Sequence, residues 1–121
     1  MATNIFGEEL KTCGKKPLTG FYRDGSCYTG AEDRGMHTVC AVVTREFLDF
    51  TRQRGNDLET PRPAFQFEGL KPGDRWCLAA IRWKEAYEAG KAPPVDLEAT
   101  DEETLNYIPL DVLVQYAYKT K

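Results

Sequence analysis

The sequence predicts a small α+β (or mixed α/β) domain, and three observations lead there. Two runs, HTVCAVV at 37–43 and RWCLAAI at 75–81, are apolar on both faces, as strands covered on both sides are. Helical apolar spacing follows each run. Fourteen aromatic residues in 121, with 41% apolar composition, supply enough large side chains for one core without staples. The expectation is a single domain over 1–121 with a small sheet of 3–5 strands and 3–4 short helices.

Residues 7–35 are rich in Gly, Lys, Thr, Asp and Pro and read as loop, with one short strand at Gly20–Arg23. In the first apolar run Val39, Ala41 and Val43 face one way, Cys40 and Val42 the other. Thr44 can cap a helix over Arg45–Arg54, with Glu46 in its first turn, Phe47, Leu48 and Phe50 buried and Gly55 as the stop. The stretch Asn56–Pro72 carries three prolines and is longer than most connections, so it reads as a recognition loop anchored by Phe65 and Phe67. KPGD at 71–74 is a turn, leading into a strand over Arg75–Ile81. Trp83, Ala86 and Tyr87 then mark a short helix ended by Gly90. A strand is expected at Val95–Ala99, and Thr100 with Glu103 matches a capping box. Pro109 opens a last helix at about 109–118, striped by Leu110, Leu113, Val114 and Ala117.

Net charge is −3 and spread evenly: residues 1–60 hold 8 basic and 9 acidic side chains, residues 61–121 hold 8 and 10. With no basic run to track phosphates, the pattern argues against nucleic acid. No apolar run reaches the ~20 residues of a membrane span, and the start MATNIFGEEL has no signal-peptide pattern. A cytoplasmic, reducing setting is therefore expected, with the four cysteines as thiols or ligands rather than disulfides.

The chemistry concentrates in DGSCYTGAEDRGMHTVC, 24–40, where Cys27 and Cys40 bracket the only histidine, His37, with Glu32 and Asp33 between. A thiol enzyme would use Cys27 as nucleophile, His37 as base and Asp33 as orienter. A zinc site would draw on Cys27, His37, Cys40 and Cys77, with Cys13 also at hand. The spacing lacks a C-x-x-C pair, so core cysteines are the preferred reading and no cofactor is expected. Gly25, Gly30 and Gly35 suit turns better than a phosphate cradle, since no G-K-[ST] follows. Polar loop residues Arg23, Asp24, Asn56, Asp57, Arg75 and Trp76 are candidate pocket liners, each also able to brace its own turn. No complete catalytic signature is present. The leading reading is a monomer or weak homodimer binding a protein partner or small ligand through loops around 20–37 and 56–75.

The stretches PLTGFYRDGSCYTG, EDRGMHTVCAVVTREFL, RGNDLETPRPAF, GLKPGDRWCLAAIRWKEA and APPVDLEAT, taken together, resemble a family of small bacterial proteins defined only as a domain of unknown function. The resemblance spans about Ile5 to Tyr118. It implies no particular activity. A typical member has Cys-Cys where this chain has Ser26-Cys27, Cys-Leu-Cys where it has Cys77-Leu78-Ala79, and often His at Asp101. The resemblance thus implies a family richer in metal or redox ligands than this chain.

Overall fold

Strands and helices alternate through the middle of the chain, between Val39 and Glu88, after a largely irregular segment over 2–38. The computed structural model describes residues 2–118. Strand β1 (Val39–Val42) is followed by α1 (Arg45–Gln53), β2 (Arg75–Leu78), α2 (Ala80–Glu88) and α3 (Leu110–Gln115). Short 3-10 turns occupy Pro63–Phe65, Leu97–Ala99 and Glu102–Asn106. The two strands form an antiparallel ribbon in which Cys40 faces Cys77 and Ala41 faces Trp76. The α+β class holds, with two strands among the described residues instead of 3–5.

Alternation along the ribbon separates two cores. Val39, Ala41 and Leu78 point into an apolar cluster with Phe47, Leu48, Trp83, Val95 and Leu113. Burial of each such large side chain contributes about 1.5–3 kcal/mol. Cys40 and Cys77 point the other way, into a cluster with Cys13, Cys27 and Ala99. The predicted facing of residues 39–43 and the double coverage of both strands are as read from the sequence.

Helix α1 forms as its signals require: Thr44 Oγ1 accepts from the Phe47 N–H at 3.1 Å, and Gly55 leaves the helix at φ 91°. Phe47, Leu48 and Thr51 are buried on it, and Phe50 packs partly buried beside them. β2 ends at Leu78, three residues earlier than expected, because α2 starts at Ala80 and turns Trp83 and Ala86 inward.

Four other expectations are corrected. Gly20–Arg23 is a turn, closed by Arg23 N–H donating to the Gly20 carbonyl at 3.0 Å. Gly20 has φ 101°, and a Cβ there would lie 2.5 Å from the Ser26 carbonyl oxygen, so only glycine fits. Val95–Ala99 is no strand: Val95 bridges Ala41 and Ala117, and the chain then tightens into the 3-10 turn at Leu97. This segment still serves the ribbon edge, since Val42 N–H donates to the Pro94 carbonyl and Asp96 N–H to the Cys40 carbonyl. The cap at 100–103 is Asp101, which accepts from Glu103 N–H at 2.8 Å, while the Thr100 hydroxyl accepts from Cys40 N–H at 3.2 Å. In α3 only Leu113 is buried, with Val112 and the C-cap Tyr116 packed partly buried beside it; Leu110 and Val114 face outward.

Candidate functional site

The loop-rich segment is held by two disulfides, Cys13–Cys40 and Cys27–Cys77, with Cα separations of 5.6 and 5.3 Å. This corrects the expectation of thiols. Each disulfide ties a loop cysteine to a ribbon cysteine, so the loops lie flat against one ribbon face. Cys27 is fully buried and carries no thiol, which leaves the Cys27–His37–Asp33 nucleophile arrangement unassembled. The zinc set containing His37 is likewise not brought together: the sulfurs of Cys13, Cys27 and Cys77 cluster, and His37 is held elsewhere.

Asp33 and His37 do meet. Asp33 is buried, and its Oδ1 lies 2.6 Å from His37 Nδ1. Its Oδ2 accepts from the His37 backbone N–H at 2.9 Å and from the Thr29 hydroxyl at 3.0 Å. Burial opposes ionisation of Asp33, but hydrogen bonds from His37 and Thr29 outweigh it and hold the carboxyl below its usual range. Gly35 permits this packing, since a Cβ there would come within 2.7 Å of the imidazole Cε1.

His37 opens onto a cleft of about 400 Å³. That volume is within the usual range for small-molecule sites. One wall is the Gly20–Arg23 turn, with Phe21 stacked over His37 at 6.0 Å between ring centroids. Another is Gly55–Leu58 beyond α1, continued by Arg62, Phe65 and Phe67. Trp76 of β2 lines it as well, packed on Phe67 at 5.2 Å, and the Arg23 guanidinium lies 5.2 Å from the Trp76 ring centroid.

Four of the predicted pocket residues, Arg23, Asn56, Asp57 and Trp76, therefore converge on one cleft with His37. Two do not. Asp24 braces its turn by accepting from Ser26 N–H at 3.1 Å. Arg75 sits on the cysteine face of the ribbon, paired with Asp96 and donating to the Cys13 carbonyl at 2.6 Å. Asp57 both lines the cleft and braces its loop: the Thr60 hydroxyl and the Glu59 and Thr60 N–H groups donate to it and hold its pKa low, with the Arg62 charge adding to them. Asn56 is tied to the Thr51 hydroxyl at 3.1 Å.

Sequence reading missed Phe21 and Arg62. The signal for Arg62 is its place in Pro61-Arg62-Pro63, where the following proline keeps the residue extended and presented. Of the chain's eight arginines, five pair with carboxylates. Among the described residues Arg23, Arg34 and Arg62 do not, and two of these line the cleft. The three non-glycine residues with positive φ, Arg23 (58°), Met36 (53°) and Gln66 (55°), all lie in or next to the cleft lining. Such conformations cost energy and gather where a site needs them.

The chain belongs to a bacterial family: the model described as an uncharacterized protein conserved in bacteria (DUF2237) matches residues 3–117. Among curated proteins no match is found. Among the described residues no helix is long and apolar enough to cross a membrane.

Proposed function

We propose that the protein is a binding domain for a small organic anion with a flat apolar body, such as an aryl carboxylate. The observation that carries this reading is the pairing, in one cleft, of two arginines without carboxylate partners and a set of partly exposed aromatic rings. Arg23 and Arg62 supply charge and forked donors for a carboxylate. Phe21, Phe65 and Trp76 supply faces for a planar body. Asp57 is held ionised at the wall, but its oxygens are engaged by its own loop, and the two arginines together leave the cleft with an excess of positive charge. The Asp33-braced imidazole offers one more polar group at the wall, aimed by its partner. A cleft of this volume suits a small ligand better than the flat contact a globular partner would need.

The test is titration of isotope-labelled oxidised protein with benzoate, indole-3-acetate and 1-naphthoate, each against its neutral amide, followed by amide NMR shifts. The acids should bind saturably, with shifts confined to 20–23, 55–67 and Trp76. The amides should bind at least about tenfold more weakly, a difference of ~1.4 kcal/mol. Arg23→Gln and Arg62→Gln should each reproduce that loss. Equal binding of acid and amide, shifts elsewhere, or no response to any of the acids overturns the reading.

A further inference from the structure

The two disulfides lie side by side. The sulfurs of Cys13, Cys27 and Cys77 fall within 4.8 Å of one another, and the fourth, of Cys40, is bonded to that of Cys13. All four cysteines are buried against one another in a cluster that otherwise contains only Ala99. A tetrahedral zinc–tetrathiolate has Zn–S bonds of about 2.3 Å, which sets the sulfur–sulfur edges at about 3.8 Å. Three of the four sulfurs are near that scale, and the Cys40 sulfur lies just outside their group, tied to it through Cys13. Opening the two S–S bonds frees each bonded pair to move apart to such an edge and lets the Cys40 sulfur swing in to complete the tetrahedron.

We propose that the reduced protein binds one zinc ion through Cys13, Cys27, Cys40 and Cys77, so that a metal holds the loops where the disulfides hold them when oxidised. The supports are well placed for it. Cys40 and Cys77 are directly opposed on the β1–β2 ribbon, which fixes two ligands on a rigid base. Cys13 and Cys27 come from loops, which can adjust to the ion. The Arg75 guanidinium, held by Asp96, lies 3.9 Å from the Cys40 sulfur and places an N–H donor beside a thiolate there. His37, bound to Asp33, takes no part.

The chemistry balances. Each disulfide takes two electrons and two protons from one molecule of a dithiol reductant, which closes to its own disulfide. Zinc then binds as the four thiols lose their protons to solvent. This site lies on the cysteine face of the ribbon and is independent of the reading of the cleft.

The experiment is reduction of the wild-type chain with a phosphine under anaerobic conditions, removal of metals, and titration with Zn²⁺. X-ray absorption at the zinc edge then reads the shell, and Co²⁺ serves as an optical probe. One equivalent should bind, with four sulfurs at about 2.3 Å and the visible spectrum of a tetrahedral thiolate complex. His37→Ala should leave both unchanged, and Cys13→Ser should reduce the shell to three sulfurs and one lighter atom. Wild-type protein that takes up no stoichiometric metal, or a shell containing nitrogen in place of sulfur, overturns the proposal whether or not the serine variant folds.

Discussion

On one face of the β1–β2 ribbon Val39, Ala41 and Leu78 meet Phe47, Leu48 and Trp83; on the other, Cys40 and Cys77 meet Cys13, Cys27 and Ala99. The first face is covered by helices with large side chains. The second is covered by turns and isolated bridges, with no apolar side chain in its cluster larger than cysteine. Area burial alone can hold the first. It cannot order the second against the entropy of a long irregular segment, about 1–2 kcal/mol per backbone residue. The disulfides compensate there, so one small domain uses two stabilising strategies, divided by the pleat of a single ribbon.

The largest effect should come from cutting the staples. The disulfides close separations of 27 and 50 residues. Loop-closure entropy puts each at about 4 kcal/mol, a large share of a typical domain's ~5–15 kcal/mol. Reduction in the presence of a chelator should abolish amide-exchange protection over 11–30 while α1 and α2 keep more of theirs. If both faces lose protection together, the division into two strategies is wrong. Without reduction, alkylation should label none of the four cysteines.

Trp83→Ala attacks the other face. Trp83 is fully buried, stacks on Tyr87 at 5.7 Å, meets Tyr116 edge-on and donates its indole N–H to the Pro93 carbonyl at 3.0 Å. Its removal should cost about 3–5 kcal/mol in denaturant unfolding of the oxidised protein. Combined with loss of the Cys27–Cys77 disulfide, through paired serine substitutions, the two losses should add to within about 0.5 kcal/mol if the faces are independent. A larger coupling would mean that the ribbon transmits strain between them.

This division also explains what the sequence could reveal. The apolar face was legible because periodicity reports burial: β1, α1, Trp83 and Ala86 all lie where alternation and helical spacing put them. The cysteine face was not, because its order comes from cross-links between residues far apart. Nothing local distinguishes a cysteine destined for a disulfide from a buried thiol, and composition alone points to thiols. Val95–Ala99 failed for a related reason. It has strand-like composition but satisfies the ribbon edge through two single bonds from the chain at Pro94 and Asp96. At the cleft, Arg23, Asn56, Asp57 and Trp76 are legible as polar or aromatic residues on or beside turn-rich loops, and Arg75 shares that signature without sharing the site. Pleating sends Arg75 and Trp76 to opposite faces, a distinction available from the strand assignment itself.

A smaller effect should follow from the threonines that finish the ribbon. Cys40 N–H donates to Thr100 Oγ1 and Cys77 N–H to Thr19 Oγ1 at 2.8 Å, taking the place of neighbouring strands at both edges. Thr100→Val keeps the shape and removes the acceptor, leaving a buried N–H unpaired. The expected cost is about 1–3 kcal/mol, confined to the cysteine side in amide exchange. An unchanged unfolding midpoint would show that another group or water takes over the bond.

The smallest effect is conditional on pH. Asp33 ties the 29–37 loop to the mouth of the cleft, where the cysteine side meets β1. Burial raises its pKa, but hydrogen bonds from His37 and Thr29 prevail, so the folded value lies below the unfolded one. A depressed carboxyl contributes stability that is fully present above its unfolded pKa, near 4, and is lost as pH falls through the folded value. The stability gap between wild type and Asp33→Asn, measured by urea unfolding, should therefore shrink progressively as the pH falls below about 4. A gap that stays flat into acid would mean that Asp33 acts by shape alone. A gap that closes would place an ionised carboxylate under His37 at neutral pH, which is the arrangement the anion cleft needs to keep that imidazole in position.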